Sequence, residues 1–429
     1  MTLLAPRPQR VAPTPPRIGT PRSTTPGPTA KLASAATLAS PATLPSAHRS
    51  SASRVSAPRP SRDGFIDVVR ALGTLVVIGL HWLMIEATWD GATLQVGNSL
   101  AHGSAWLLTW LNPLPLLFFA AGAAASYDVA RRPDATGREL AWRRLRSLLA
   151  PVGIFVGLWL AAVTLLPRVG VPSEALHTAA RIVVQPLWFL AVYLVLIALA
   201  PTLVRGIARR GGLAVVGILG FAAFVFDAAR WVSGSTLLGW PNLVVAWAVP
   251  FALGISYAMA RAAGRDISQL LAGALVVVGS AATIALIVLG PYPASLIGMP
   301  GQAISNLGPP TAPVVTFAVA QIGAALVLRS QLGRLSGSRV VAQVSAHSMP
   351  LYLWHLTAIF IVAGVVLLGL GQELSTPWTW AWWTTRPALF GACFVTLTAL
   401  VAATTRLQKV AVTTAGSRQP GHHLIARTA

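Results

Sequence analysis

Apolar residues in this chain come in long blocks, and those blocks decide what it can fold into. Residues 71–85, 150–166 and 270–289 each approach the roughly 20 apolar residues needed to cross the hydrocarbon layer of a bilayer. Only 10% of the 429 residues are charged and 55% are hydrophobic, whereas soluble domains carry roughly 25% charged residues and cover their surfaces with them. A soluble globular protein is excluded. The chain reads as an all-α integral membrane protein that crosses the bilayer many times.

Ten apolar segments follow residue 62, at about 66–88, 105–130, 147–166, 183–204, 211–228, 240–262, 270–290, 311–331, 346–371 and 386–405. Cytoplasmic connections attract Lys and Arg, which gives an independent test of that count. With the amino terminus inside, 27 of the 32 Lys and Arg fall on the cytoplasmic side. Arg168, Arg181, Arg230 and Arg386 fall outside, and Arg70 sits within the first segment. The expectation is a bundle of about ten transmembrane helices with both termini cytoplasmic. Residues 1–61 hold 12 prolines and nine serines with no acidic residue and no apolar period, so they read as a disordered basic tail that cannot bury enough surface to offset its ordering entropy. Residues 62–405 form the transmembrane domain, and 406–429 a short basic cytoplasmic tail.

The net charge of +21 does not indicate nucleic acid, because the basic residues lie in short connections rather than on one folded face. Cys393 is the only cysteine, which excludes an intramolecular disulfide and a cysteine zinc cluster. No set of His, Cys or carboxylates has metal-ligand spacing, His422-His423 being too short a cluster, and no metal is expected. Trp378, Trp380, Trp382 and Trp383 crowd the connection before the tenth segment, where indoles prefer the headgroup level. The uncharged connection 291–310 reads equally as a re-entrant lid or a long loop.

Ionisable side chains inside a membrane helix are expensive and mark a cavity or a partner. The first segment holds Asp67, Arg70, His81 and Glu86. Arg70 and His81 are 11 residues apart, which on a helix puts them on one face about 16 Å apart along the axis. Asp67 joins that face three residues before Arg70, and Glu86 lies near the outer end. Arg143, Arg144 and Arg146 stand at the start of the third segment; guanidinium groups there beside Arg70 would make an inner anion site, although orientation alone also places arginines at such a boundary. Trp188 opens the fourth segment in Pro186-Leu-Trp-Phe-Leu190, and the ninth segment carries Tyr352 and His355 into the membrane. Each of these has a plainer reading as packing or as a hydrogen-bonded core residue.

Taken together, Arg70 and His81 with ten residues between them, Phe118-Phe119-Ala-Ala-Gly122, Arg143-Arg144-Leu145-Arg146 before Pro151, Trp188-Phe189-Leu190 and Tyr352-Leu-Trp-His355 resemble the acyltransferase 3 family of bacterial multi-pass acyltransferases. The resemblance spans 62 to about 405. It implies a plasma-membrane enzyme that moves an acyl group, commonly acetyl, from acyl-CoA as co-substrate to a hydroxyl of a carbohydrate, a glycolipid or a secondary metabolite, with no tightly bound cofactor. It implies that His81 is catalytic with Arg70 as its partner, and that Arg143 and Arg146, with Arg144 beside them, bind the acyl donor. Asp67, Glu86, Trp188, Tyr352 and His355 are candidates for acceptor contact or structural support. His81 would serve as general base or as acyl carrier. The chain ends 24 residues after the tenth segment, so the esterase-like domain fused to some members is not expected. The competing class is a multi-pass transporter or flippase for a sugar or lipid-linked intermediate, although no repeated halves are visible.

Overall fold

The computed structural model describes residues 63–416 apart from Ala303, with side chains to residue 408. The tail expected at 1–61 lies outside the described residues, as does 417–429. Helix α1 (Gly64–Met84) starts at Asp63, whose side chain accepts from the Phe65 N–H. A β-hairpin of β1 (Ile85–Trp89) and β2 (Leu94–Asn98) follows, then a 3-10 turn at Gly103–Leu111 and α2 (Leu114–Arg131). Next come α3 (Gly137–Leu165), α4 (Ser173–Val183), α5 (Leu187–Arg210), α6 (Gly212–Ser233), α7 (Asn242–Ala262) and α8 (Gln269–Leu289). The chain closes with α9 (Ala312–Val327), α10 (Arg329–Arg334), α11 (Arg339–Ala346), α12 (Ser348–Gly364) and α13 (Trp380–Gly416).

Among the described residues, nine helices are long and apolar enough to span a membrane, and a tenth span arises if α9 and the segment after it, bent by 59°, are counted as one. The ten apolar segments thus correspond to nine spans and one bent pair, and the fold is an all-α multi-pass bundle. Helix α7 is its centre, with 67% of its apolar window buried, whereas α8 buries 17% and turns Leu270, Val277, Val278 and Leu289 outward as a lipid-facing surface.

Four boundaries differ from the sequence reading. The first helix stops at Met84, so Glu86 lies in β1 and not in a helix. Asp90 forms the hairpin turn, accepting from the Ala92 and Thr93 N–H groups and the Thr93 hydroxyl; the Thr93 and Ala92 bonds hold its carboxyl down at about 2. The fourth segment is broken at Gln185-Pro186 into α4 and α5, since Pro186 has no N–H to continue the ladder. Helix α6 continues to Ser233, which places Arg230 inside a helix and not in an outer connection. Helix α13 begins six residues before Arg386 and runs on to Gly416, so Arg386 too is intrahelical.

The helices approach closely where side chains are missing, as membrane packing requires. Cβ atoms added to Gly122 of α2 and Gly254 of α7 would fall on the backbone carbonyls of Phe251 and Phe119 respectively. Gly254→Ala is therefore expected to push α2 and α7 apart and destabilise by about 1–3 kcal/mol. Gly273→Ala, where an added Cβ meets nothing, should leave the thermal unfolding midpoint of the purified protein unlowered; equal behaviour of the two variants would contradict this account.

The 291–310 connection is neither a bare loop nor a transmembrane segment. Asn306 ties it together, its Nδ2 donating to the Pro293 and Ser295 carbonyls while its Oδ1 accepts from Thr311. Thr109 Oγ1 accepts from Leu296 N, and Trp110 Nε1 donates to the Ala294 carbonyl. Asp227 of α6, fully buried, accepts from the Ala312 N–H at the start of α9 and forms an ion pair at 3.0 Å with buried Arg230. Tyr292 faces the same carboxylate; burial and that charge push its phenol up.

Candidate active site

Two cavities flank α1, one at each end. The larger, about 490 Å³, is lined by Arg70 and Thr74 of α1 and by residues of α2, α3, α5 and α12. Its charged groups are Arg70, Arg131, Arg132, Arg143 and Arg144 against Asp128 alone. Asp128 is paired with Arg132, one turn along α2, and Arg70 with Asp67, which also accepts from the Ser345 hydroxyl at 3.2 Å. Even with both pairs made, the cavity keeps a strong positive excess, the condition for holding phosphate.

Leu140, Arg143, Arg144, Ser147 and Leu148 of α3 reach this cavity, a stripe at helical spacing. Arg146 is off that stripe. Its guanidinium lies over the Trp142 ring, 5.0 Å from the centroid, and it is not among the lining residues. Arg144 instead lies over Tyr193, 5.3 Å from its centroid.

The smaller cavity, about 270 Å³, lies at the other end of α1 and is lined by Val77, Leu80, His81 and Met84 of that helix. Among the described residues no Asp, Glu, Lys or Arg lines it; besides His81, Thr109, Asn112, Gln185, Trp188 and Tyr352 are the polar members of an otherwise apolar wall. Ile297 and Leu307 of the 291–310 connection contribute to the same wall. The expected Arg70–His81 geometry is present, since both sit on the unbroken α1, about 16 Å apart along its axis. They face different cavities.

Tyr352 lines both cavities. Its hydroxyl donates to the Pro186 carbonyl at 2.8 Å, at the break between α4 and α5. Rings in mutual contact run from one cavity to the other: Tyr193 on Phe189, Phe189 on Tyr352, Tyr352 on His355, and His355 on His81.

The two histidines meet edge to face, with ring centroids 4.9 Å apart. His81 Nδ1 is 2.8 Å from the Val77 carbonyl and His355 Nδ1 is 2.6 Å from the Tyr352 carbonyl. A carbonyl only accepts, so each Nδ1 carries the hydrogen and each Nε2 carries the lone pair. His355 is fully buried behind His81, and its Nε2 has no hydrogen-bond partner among the described residues. Glu86 is turned away, its carboxylate 3.0 Å from His102 Nε2.

The site therefore gathers Arg70, Arg143, Arg144 and Tyr352 at one cavity and His81, Trp188 and Tyr352 at the other, with Asp67 and His355 behind them. Glu86 and Arg146 stand apart. Sequence reasoning did not single out Tyr193, Gln185 or Asn112, nor Arg131 and Arg132 as lining residues. The Asp128-to-Arg132 spacing of four was the available signal for the last of these. Among the described residues, no group of three His, Cys, Asp or Glu could hold a metal ion.

A helical bundle in the membrane, with an arginine-lined cavity at one end of a helix and an imidazole in a second cavity at the other, has the parts of a membrane-embedded group-transfer enzyme. The chain belongs to the acyltransferase 3 family: the model of that family's acyltransferase domain matches residues 63–405. It is a membrane acyltransferase. Neither a curated protein nor a solved structure matches the chain.

Proposed function

We propose that the protein transfers an acyl group, acetyl in the simplest case, from acyl-CoA to an uncharged hydroxyl on a carbohydrate, glycolipid or secondary metabolite. The observation that carries this reading is that α1 joins an arginine-lined cavity to a His81-lined one, with Tyr352 in both walls. Arg143 and Arg144 hold the CoA phosphates, with Arg131, Arg132 and Arg70 adding positive potential. The pantetheine arm, extended past Phe189 and Tyr352, is long enough to bring the thioester to His81. The excess of Lys and Arg at the arginine end supports a cytosolic position for that end, where CoA is found.

His81 Nε2 then accepts the proton of the acceptor hydroxyl as the oxygen bonds to the thioester carbonyl carbon. The C–S bond breaks, and the departing CoA sulfur takes the proton back from the imidazolium. The Val77 carbonyl keeps the ring in the tautomer that leaves Nε2 unprotonated at the start. His355, its ring 4.9 Å from that of His81 between centroids, holds an unpartnered Nε2 lone pair beside the ring that has just gained a proton. Among the described residues no Asp, Glu, Lys or Arg lines the His81 cavity, which favours a neutral hydroxyl, because no counter-charge in that wall would hold an ionic acceptor.

The test is turnover of acetyl-CoA by the purified protein in lipid vesicles, followed as free thiol, with Arg143→Ala, Arg144→Ala and Arg146→Ala compared. Loss of one charge-assisted contact costs about 1.5–3 kcal/mol, so the first two variants should raise the KM for acetyl-CoA roughly ten- to a hundredfold with a smaller change in kcat. Arg146→Ala should stay within about twofold, since its side chain is committed to Trp142. A wild type that neither binds CoA nor releases thiol with any candidate acceptor would defeat the donor assignment.

A further inference from the structure

Among the described residues, the buried Asp and Arg side chains are paired with one exception. Asp67 has Arg70 and Asp227 has Arg230, as the cost of stranding an ion away from water demands. Arg386 is 7% exposed, within α13, and makes no ion pair among the described residues. Its Nε and Nη1 are buried without a hydrogen-bond partner.

A second orphan lies beside it. Trp382, one turn earlier on the same face and fully buried, also has an unpartnered indole Nε1–H. The Arg386 guanidinium lies over the Trp382 ring, 4.3 Å from its centroid. Stacking occupies the face of the guanidinium and leaves the in-plane N–H fork unused. Both groups only donate, so what satisfies them is an acceptor, and the positive charge makes an anion the best one.

Position identifies the source. Phe390, one turn beyond Arg386, packs its ring on Trp82, next to His81, so Arg386 lies at the His81 end of the bundle, away from the arginine cavity. Trp380 and Trp383, on the same first turns of α13, are exposed, and exposed indoles of a membrane helix sit at the headgroup level. Arg386 follows Trp383 by three residues, about 4.5 Å along the axis. That is just beneath the plane of the lipid phosphates.

We propose that Arg386 and Trp382 form a seat for the phosphate group of a membrane phospholipid, at the start of α13 on its buried face and separate from both cavities. The phosphate oxygens accept from the guanidinium fork and from the indole N–H, and no bond is made or broken. The seat stands independently of acyl transfer and anchors the start of α13 against α12 and α1.

The test is a titration of the delipidated full-length protein, in neutral detergent, with phosphatidylglycerol, bound lipid being counted by native mass spectrometry. Arg386→Met should weaken binding roughly ten- to a hundredfold, the loss expected for a charge-assisted contact. Arg386→Lys, a point charge without the fork, should lie between. Because methionine removes a stranded cation, lipid-free Arg386→Met should unfold at a temperature no lower than lipid-free wild type, which keeps a binding defect distinct from a folding defect. Equal lipid binding by wild type and Arg386→Met would overturn the proposal, as would a lipid-free Arg386→Met that melts below wild type, since the guanidinium would then be serving the protein itself. Inorganic phosphate that displaces phosphatidylglycerol at comparable concentration would overturn the lipid as source and leave a soluble oxoanion in its place.

Discussion

Replacing His81 by alanine is expected to abolish acyl transfer and leave the bundle standing. A positioned general base contributes about 10²–10⁴-fold in rate, and His81 supplies the only imidazole among the described residues lining the smaller cavity. The fold should survive because the ring borders a cavity and its one hydrogen bond is to Val77, four residues back on its own helix. His81→Gln sharpens the experiment, since it keeps a polar side chain of similar reach but has no basic nitrogen. Both variants should bind acetyl-CoA with a KM close to wild type, the arginine cavity being about 16 Å away along α1, while product formation falls by two orders of magnitude or more. Activity within tenfold of wild type in His81→Gln would remove the imidazole from the chemistry. A second outcome separates the two histidine mechanisms: mass shift of the protein by one acyl group, in the absence of acceptor and lost in His81→Gln, would show that the ring carries the acyl group itself.

The largest expected loss of stability comes from Asp227→Ala. Asp227 holds three things at once: the buried guanidinium of Arg230, the Ala312 N–H that opens α9, and the Tyr292 side of the 291–310 connection. Removing one partner of a buried pair costs about 3–5 kcal/mol, because the other charge is left without compensation. The thermal unfolding midpoint should fall accordingly. The double variant Asp227→Ala/Arg230→Met, which deletes the charge as well as its partner, should recover most of that loss. A single variant as stable as wild type would mean that water or the headgroups already solvate Arg230. Because Ile297 and Leu307 line the His81 cavity, the double variant also reads out whether the clamp shapes the acceptor site: stability restored with product formation still reduced would assign it that role.

Several features were legible before any coordinates. Spacing alone placed Arg70 and His81 on one face of α1, because an α-helix advances a fixed angle and rise per residue. The class of fold was legible for a similar reason: a bilayer imposes one length on every crossing, and blocks of that length are visible in the composition.

What pairs across the bundle was not legible. Asp227 lies 85 residues from Ala312, and His355 lies 274 residues from His81, and no local period connects them. Arg143, Arg144 and Arg146 look equivalent as a cluster, yet only the stripe from Leu140 to Leu148 faces the cavity, and which stripe faces inward depends on where α5 and α12 pack. The hairpin at 85–98 was missed because its apolar residues continue the run of α1; the turn at Asp90-Gly91 was the signal against it.

The sequence by itself therefore determined the environment, the number of crossings and the residues of the motif on α1. Each of these follows from local rules of length, periodicity and charge. Tertiary structure alone decided that the motif is split between two cavities, that Tyr352 belongs to both, that His355 stands behind His81, and that Arg386 makes no ion pair among the described residues. Those are facts about distances between residues far apart in the chain, set by close packing of helices at positions such as Gly122 and Gly254, where the absence of a side chain lets two backbones meet.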